Sequence, residues 1–233
     1  MNEQATLIQV TALSYRYPRR GVVLDDVDFA LEVGERVALT GPNGAGKTTL
    51  LHLLVGLKKP KAGEVWAFGS TRKTEKEFIE VRARAGFLFQ DPDDQLFCPT
   101  VLEDVAFGPL NLGKSRAEAL QIAEDTLASL GMAGFEQRIT HQLSGGEKRM
   151  ITLACVLAME PDVLLLDEPS NALDTKARQR LIDTLLKLPQ AMIIISHDQD
   201  LVSQLATREL CLEDGKLCEP VSDTYLPPNL KSA

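Results

Sequence analysis

An octapeptide, GPNGAGKT at residues 41–48, sits between a β-like run, RVALT, and an apolar helical run, TTLLHLLVGL. It fits the spacing G-x-x-x-x-G-K-[ST], a loop that works only where a strand ends and a helix begins. There the glycines let backbone N–H groups wrap a phosphate, and the helix N-terminus adds a favourable dipole. Lys47 reaches the β- and γ-phosphates, and Thr48 offers a hydroxyl to Mg²⁺. A glycine-rich turn matches this pattern by chance, in a chain of this length, on the order of one time in a hundred. The strand-to-helix setting makes chance rarer still, so the expectation is an α/β chain that binds a nucleotide.

Two further apolar runs, DVLLLD and AMIIIS, flank a helical stretch, TKARQRLIDTLLKL. Strands apolar on both faces with a helix between them describe a parallel sheet covered by helices. The first run continues as VLLLDEPS and delivers Asp167 and Glu168 at the strand's C-terminal end, where open α/β sheets bind ligands. Asp167 can hold Mg²⁺ through its water shell, while Glu168 can orient and deprotonate an attacking water. An acidic strand end is common in solvent, so this motif gains its meaning beside the glycine loop. His197 follows the second run, and its strand end should lie near those of Thr40 and Asp167. His52 and His141 are read as structural or incidental.

LSGGEKR, residues 143–149, sets Ser144 and Glu147 at capping-box spacing, an ordinary helix start. Yet Gly145 and Gly146 leave the first N–H groups uncovered, and Glu147 is an odd neighbour for a phosphate unless its side chain turns back to cap. Such a helix start suits an anion brought from outside.

The chain carries 25 basic against 33 acidic residues and a net charge of -8, without the basic stripe of a nucleic-acid binder. Cys98, Cys155, Cys211 and Cys218 have no metal-like spacing, and without an export signal a reduced, cytosolic setting is expected. No run approaches the roughly 20 apolar residues of a membrane-spanning helix, so a role at a membrane is expected to go through another chain. The segments TLIQVTALSY, VVLDDVDFALEV and RVALT read as an antiparallel start. STRKTEKEFIEVRAR reads as a charged, solvated helix. Residues 115–130 open with Ser115 and Glu118 in capping-box spacing and align Leu120, Ala123, Leu127 and Leu130. LCLEDGKLC reads as a hairpin turning on Asp-Gly, and residues 221–233 as a loose tail.

GPNGAGKTT, Gln90, LSGGE, VLLLDE, SNALD and ISHD occur in the order found in ATP-binding-cassette (ABC) ATPases. The chain resembles that family over roughly residues 5–220. The resemblance implies a P-loop NTPase of α/β class, with a RecA-like core, an antiparallel β subdomain and an inserted α-helical subdomain at about residues 91–160. It implies ATP and Mg²⁺ as ligands, with two subunits enclosing two ATPs. Each γ-phosphate would lie between Lys47 of one subunit and Ser144, Gly145 and Gly146 of the other, which accounts for a helix start built for an outside anion. Glu147 belongs to the same signature, where Gln is more usual, and Asp174 is implied to cross the dimer interface. Gly41, Pro42, Asn43, Gly44, Ala45, Gly46, Lys47, Thr48 and Thr49 are implied to hold ATP, with Tyr17 stacked on adenine and Tyr15 as the competing choice. Glu168, His197 and Gln90 are implied in catalysis, and Thr48, Gln90 and Asp167 around Mg²⁺. SNALD departs from the pattern at Asn171, where small residues are common.

The stretch GFLFQDPDDQLFCPTVLEDVAFGP, residues 86–109, mixes apolar and acidic groups too closely for a simple core strand. Beyond Gln90 it resembles the corresponding stretch of energy-coupling-factor ATPases, particularly those serving cobalt, nickel and vitamin uptake. In such transporters this segment faces a membrane subunit whose coupling helix docks between the two lobes. Leu96, Phe97, Val101 and Phe107 would line an apolar groove for it, and Asp93, Asp94, Glu103 and Asp104 would meet its basic residues. The implied assembly is a homodimer, since both sites look complete, with an integral membrane coupling protein and a substrate-binding membrane subunit. The chain would then be peripheral, on the cytoplasmic face of the membrane. The competing class is a soluble assembly or regulatory ATPase of the same fold. Acidic charge and the lack of a coiled-coil insertion speak against nucleic-acid repair, and the segment after Gln90 speaks against assembly. Cobalt, nickel, biotin and other vitamins stay open as cargo, because this segment would recognise a shared coupling protein.

Overall fold

The computed structural model describes residues 6–219, so the tail read at 221–233 lies outside the described residues. Two sheets organise the chain. Strands β1 (Thr6–Tyr17), β2 (Gly21–Glu32), β4 (Ala62–Ala67) and β5 (Ser70–Arg72) form an antiparallel sheet in the order β2-β1-β4-β5. Strands β3 (Arg36–Thr40), β6 (Ala85–Leu88), β7 (Val163–Asp167), β8 (Ala191–Ile195), β9 (Arg208–Glu213) and β10 (Lys216–Cys218) form the second, in the order β10-β9-β3-β8-β7-β6. All pairs of this sheet are parallel except the β9–β10 hairpin, which turns at Asp214 and Gly215, both at positive φ.

RVALT therefore does not continue the antiparallel start. Its Val37, Ala38 and Leu39 are all buried, because β8 and β9 flank it and layers cover both its faces. The parallel strands feed two cores. Val37, Leu39, Val163, Leu165, Ile193 and Ile195 face the antiparallel sheet and helix α1 (Lys47–Leu54), whereas Leu164, Leu166, Met192 and Ile194 face the other helices. Successive residues of a strand point to opposite faces, so one uninterrupted apolar run serves both layers.

Helix α1 stops at Leu54, short of the apolar run's end, and Gly56 beyond it adopts φ 73. The charged stretch after β4 is not wholly solvated. Its first residues are β5, Arg72 is buried against the Ala67 carbonyl and Glu80, and α2 (Glu75–Arg84) buries Phe78 and Val81. Between β6 and β7 lie α3 (Val101–Asn111), α4 (Arg116–Ser129) and α5 (Gly145–Leu157), packed together through the second core. Ser115 and Glu118 form the capping box of α4. Helices α6 (Thr175–Lys187) and α7 (Gln199–Leu205) follow β7 and β8, capped by Asp174 and Asp198.

Candidate nucleotide site

The C-terminal ends of β3, β7 and β8 come together at one sheet edge, and the loop leaving β3 runs straight into α1. Gly41 sits at φ 122, and a Cβ there would lie 2.2 Å from the Leu212 carbonyl oxygen of β9. Gly46, at φ 116, caps α1 without a side-chain hydrogen bond, and no acidic residue stands in the helix's first turn. The loop thus opens a bare helix N-terminus to an anion. Lys47 is only 6% exposed, and its ammonium donates to the carbonyls of Gly41 (2.6 Å) and Pro42 (3.1 Å). Burial lowers its pKa, while Glu168 and Asp167 pull the other way.

A cleft of about 380 Å³ at this edge is lined by Asn43, Gly44, Gly46, Lys47, Thr48, Thr49, Gln90, Asp167 and Glu168. Asp167 is buried, and its Oδ1 has no hydrogen-bond partner among the described residues. Burial raises its pKa, opposed by the Thr48 hydroxyl and by His52, Lys47 and Arg149. Glu168 adopts φ 48, a conformation costly for a side chain of its size, and its N–H donates to the Ile195 carbonyl at 2.9 Å. The His197 N–H donates to Glu168 Oε2 at 3.3 Å. Its ring Nε2 stands 3.3 Å from Glu168 Oε1 and 2.9 Å from Asn43 Oδ1. One carboxylate, one imidazole and the phosphate loop are thereby joined.

Tyr17 and Tyr15 are not equivalent here. The Tyr17 hydroxyl lies 3.1 Å from Thr49 Oγ1, at the start of α1, whereas Tyr15 packs against the first core. Their rings meet edge-on at 5.0 Å.

Ser144, Gly145, Gly146, Glu147 and Asp174 do not line this cleft. They gather where α5 and α6 begin side by side. Glu147 does turn back: its Oε2 accepts from the Ser144 N–H and hydroxyl, both at 2.8 Å, and Arg138 donates to its Oε1 at 3.1 Å. These hydrogen bonds from Ser144 lower its pKa. Asp174 accepts from the Ala177 N–H at 2.8 Å. A Cβ on Gly146 would stand 2.7 Å from the Ala177 Cβ, whereas one on Gly145 would meet nothing within 4 Å among the described residues. Close packing of α5 on α6 explains the second glycine and leaves the first unexplained from within.

Three arginines escape sequence reasoning. Arg20, in the turn between β1 and β2, donates to the Gly44 carbonyl at 2.6 Å. Arg149 is 1% exposed and grips the carbonyls of Phe89 and Gln90. Arg178 forks onto Asp198 and reaches Asp200 at 2.9 Å, holding the Asp198 carboxyl down at about 2 and tying α6 to the segment after His197.

The segment after Gln90 is rearranged relative to expectation. Phe97 (64% exposed) and Phe107 (44%) meet edge-on at 4.7 Å, and exposed Leu110 and Leu112 follow on the same helix end. Val101 is fully buried and Leu96 leans on the second core, so neither lines an open groove. Of the acids, Asp104 is buried and accepts from the N–H groups of Phe97 (3.1 Å) and Cys98 (2.9 Å), with its pKa raised by burial. Glu103 caps Thr100, and Asp93 pairs with Lys148 at 2.6 Å. Asp104 thus braces the segment from inside, whereas Asp93, Asp94 and Glu103 are exposed.

A family model described as "ABC transporter" matches residues 24–171. A putative ABC transporter ATP-binding protein of Brucella suis is 55% identical over 195 residues, covering 84% of this chain and 81% of that protein. The energy-coupling factor transporter ATP-binding protein EcfA of Methanothermobacter thermautotrophicus is 45% identical over 215 residues, 91% of this chain and 69% of that one. Among solved structures, cbiO1 of Clostridium perfringens, described as part of the ABC transporter complex cbiONQ, superposes with a TM-score of 0.83 at 31% identity, covering 93% of this chain and 88% of that chain. MJ0796, a cassette solved as a dimer in a post-hydrolysis state with ADP and Pi, gives 0.81 at 26% identity, covering 91% and 98%. Strand order, phosphate loop and these likenesses lead to one conclusion: the chain belongs to the ABC transporter family, as an ATP-binding, ATP-hydrolysing subunit coupled to transport.

Proposed function

We propose that this chain energises an importer of the energy-coupling-factor type, as a dimer of itself seated on membrane subunits at the cytoplasmic face. The observation that carries the reading is the paired Phe97 and Phe107 rings, exposed on the helical lobe directly after the segment that brings Gln90 to the cleft. Exposed aromatic groups clustered among charges mark interaction surfaces, and an apolar helix face laid on them would bury both rings. Likeness to EcfA and to cbiO1 supports the choice of transporter type. Cobalt, nickel and vitamins remain equal as cargo, since no group of the cleft would touch it. The helical lobe, about residues 91–160, would be the inserted subdomain that carries both this patch and the start of α5.

In the nucleotide cleft the loop's N–H groups and Lys47 would bind the β- and γ-phosphates, and Tyr17 would lie against adenine. Asp167, with its unpartnered buried oxygen, fits a hydrated cation, so Thr48, Asp167 and Gln90 would hold Mg²⁺. Bound there, Mg²⁺ neutralises charge between phosphates. Glu168 would orient the attacking water and take its proton on the carboxylate. His197, held by Asn43 and Glu168, would meet the γ-phosphate. Ser144, Gly145 and Gly146 of the second copy would close on the same phosphate from outside, with Glu147 fixing Ser144 and Asp174 at the seam.

Affinity capture from membranes tests the reading. The wild-type chain is expected to recover integral membrane proteins, and Phe97→Asp combined with Phe107→Asp should weaken that capture about 30-fold, the effect of losing an aromatic hot spot. Basal ATPase should stay within about two-fold, because neither ring touches the cleft. A wild-type chain that recovers no membrane protein, or a variant that recovers the same set equally well, contradicts the proposal.

A further inference from the structure

Arg149 is one of the largest fully buried side chains of the molecule, and a guanidinium is a costly group to bury. Among the described residues it forms no ion pair with a carboxylate within 4.0 Å, although Asp91 and Asp167 lie near enough to favour its charge. Its fork goes to two successive backbone carbonyls. Nη1 donates to the Phe89 oxygen at 2.7 Å and Nη2 to the Gln90 oxygen at 2.6 Å, while Nε is buried without a partner among the described residues. Those oxygens belong to the two peptide planes on either side of the Gln90 Cα. Each plane is rigid, so holding both fixes the backbone torsions of Gln90 and hence the direction in which its side chain leaves. Lysine, a point charge on a flexible stem, would bond such carbonyls without the fixed geometry that a planar fork imposes on both planes.

Arg149 also stands on α5, whose first turn follows Ser144. We infer that Arg149 is a positioning residue: it locks the peptide planes flanking Gln90 to helix α5, so the segment carrying Gln90 moves with the helix that opens at Ser144. This rests on the reading of Gln90 and of the α5 start given above. Its consequence is communication between sites, since a phosphate gripped by the start of α5 in one cleft is felt at Gln90 in the other.

A double-mutant cycle on the full-length chain, reading ATPase kcat and KM together with thermal unfolding, tests it. Arg149→Met should fold and lower kcat about ten-fold with the KM for ATP within about two-fold, and Arg149→Lys should fall between. In a Gln90→Ala background, Arg149→Met should cost less than about two-fold further, because both changes remove one effect. If the Met variant does not fold, the Lys variant carries the same cycle. A loss that multiplies undiminished on Gln90→Ala, or a folded Arg149→Met with wild-type kcat, overturns the inference while sparing the role of Gln90. A Gln90→Ala variant with unchanged kcat overturns both.

Discussion

Lys47 illustrates what a single residue reveals before and after folding. Its spacing behind the glycines was enough to place it at the start of a helix, and the structure puts it there with its ammonium resting on the Gly41 and Pro42 carbonyls. A phosphate would compete with those carbonyls for the Lys47 ammonium, through a charge-assisted bond that neutral acceptors cannot match. Lys47→Ala should therefore weaken ATP binding about 10- to 100-fold, as loss of a charged hydrogen bond implies; calorimetric titration giving unchanged affinity would contradict that role. Other residues could not be read this way. The positive φ of Glu168 depends on how β7 leaves the sheet beside β8. Arg149 and Asp104 are charged groups inside the protein, where sequence reasoning puts none. Their burial is repaid by backbone groups brought close only by folding: carbonyls some 60 positions away for Arg149, and N–H groups on the opposite side of a turn for Asp104.

Among elements, the starts of α5 and α6 carry the sharpest contrast. Capping boxes at Ser115 and Ser144 were legible because they are local, three residues wide and independent of what packs on them. The neighbours of an element are not local. RVALT was misplaced because a strand's partners lie far along the chain, and Gly146 looked the same as Gly145 because Ala177 is invisible from LSGGE. The two glycines should separate by mutation. Gly146→Ala pushes a methyl into α6 and should destabilise the fold by about 1–3 kcal/mol. Gly145→Ala enters open space at an ordinary helical φ, so thermal stability should hold within about 0.5 kcal/mol while ATPase activity falls. Equal stability losses in both variants, or full activity in Gly145→Ala, would contradict the assignment of Gly145 to a surface that meets a second molecule.

At the scale of the whole molecule, one parallel sheet holds the cleft at its edge, an antiparallel sheet and α1 pack on one face, and the helical lobe leaves the other face. The order of motifs along the chain was sufficient to expect this class of fold, since each motif marks a strand end or a helix start. The surface was less legible than the interior, because the exposed Phe97 and Phe107 and the buried Val101 differ in position and not in composition. The cleft and the α5 start are separate in one chain, and both suit the same anion: one offers Lys47 and the bare N–H groups of α1, the other the N-terminus of α5 behind Ser144. Two copies facing each other would complete both. The most direct test is the mass of Glu168→Gln in solution, measured by sedimentation with ATP and Mg²⁺. The expected result is a stable dimer with ATP, a monomer without it, and hydrolysis slowed at least about 100-fold, the scale of a lost general base. A variant that binds ATP yet stays monomeric, or that hydrolyses it at the wild-type rate, would contradict it.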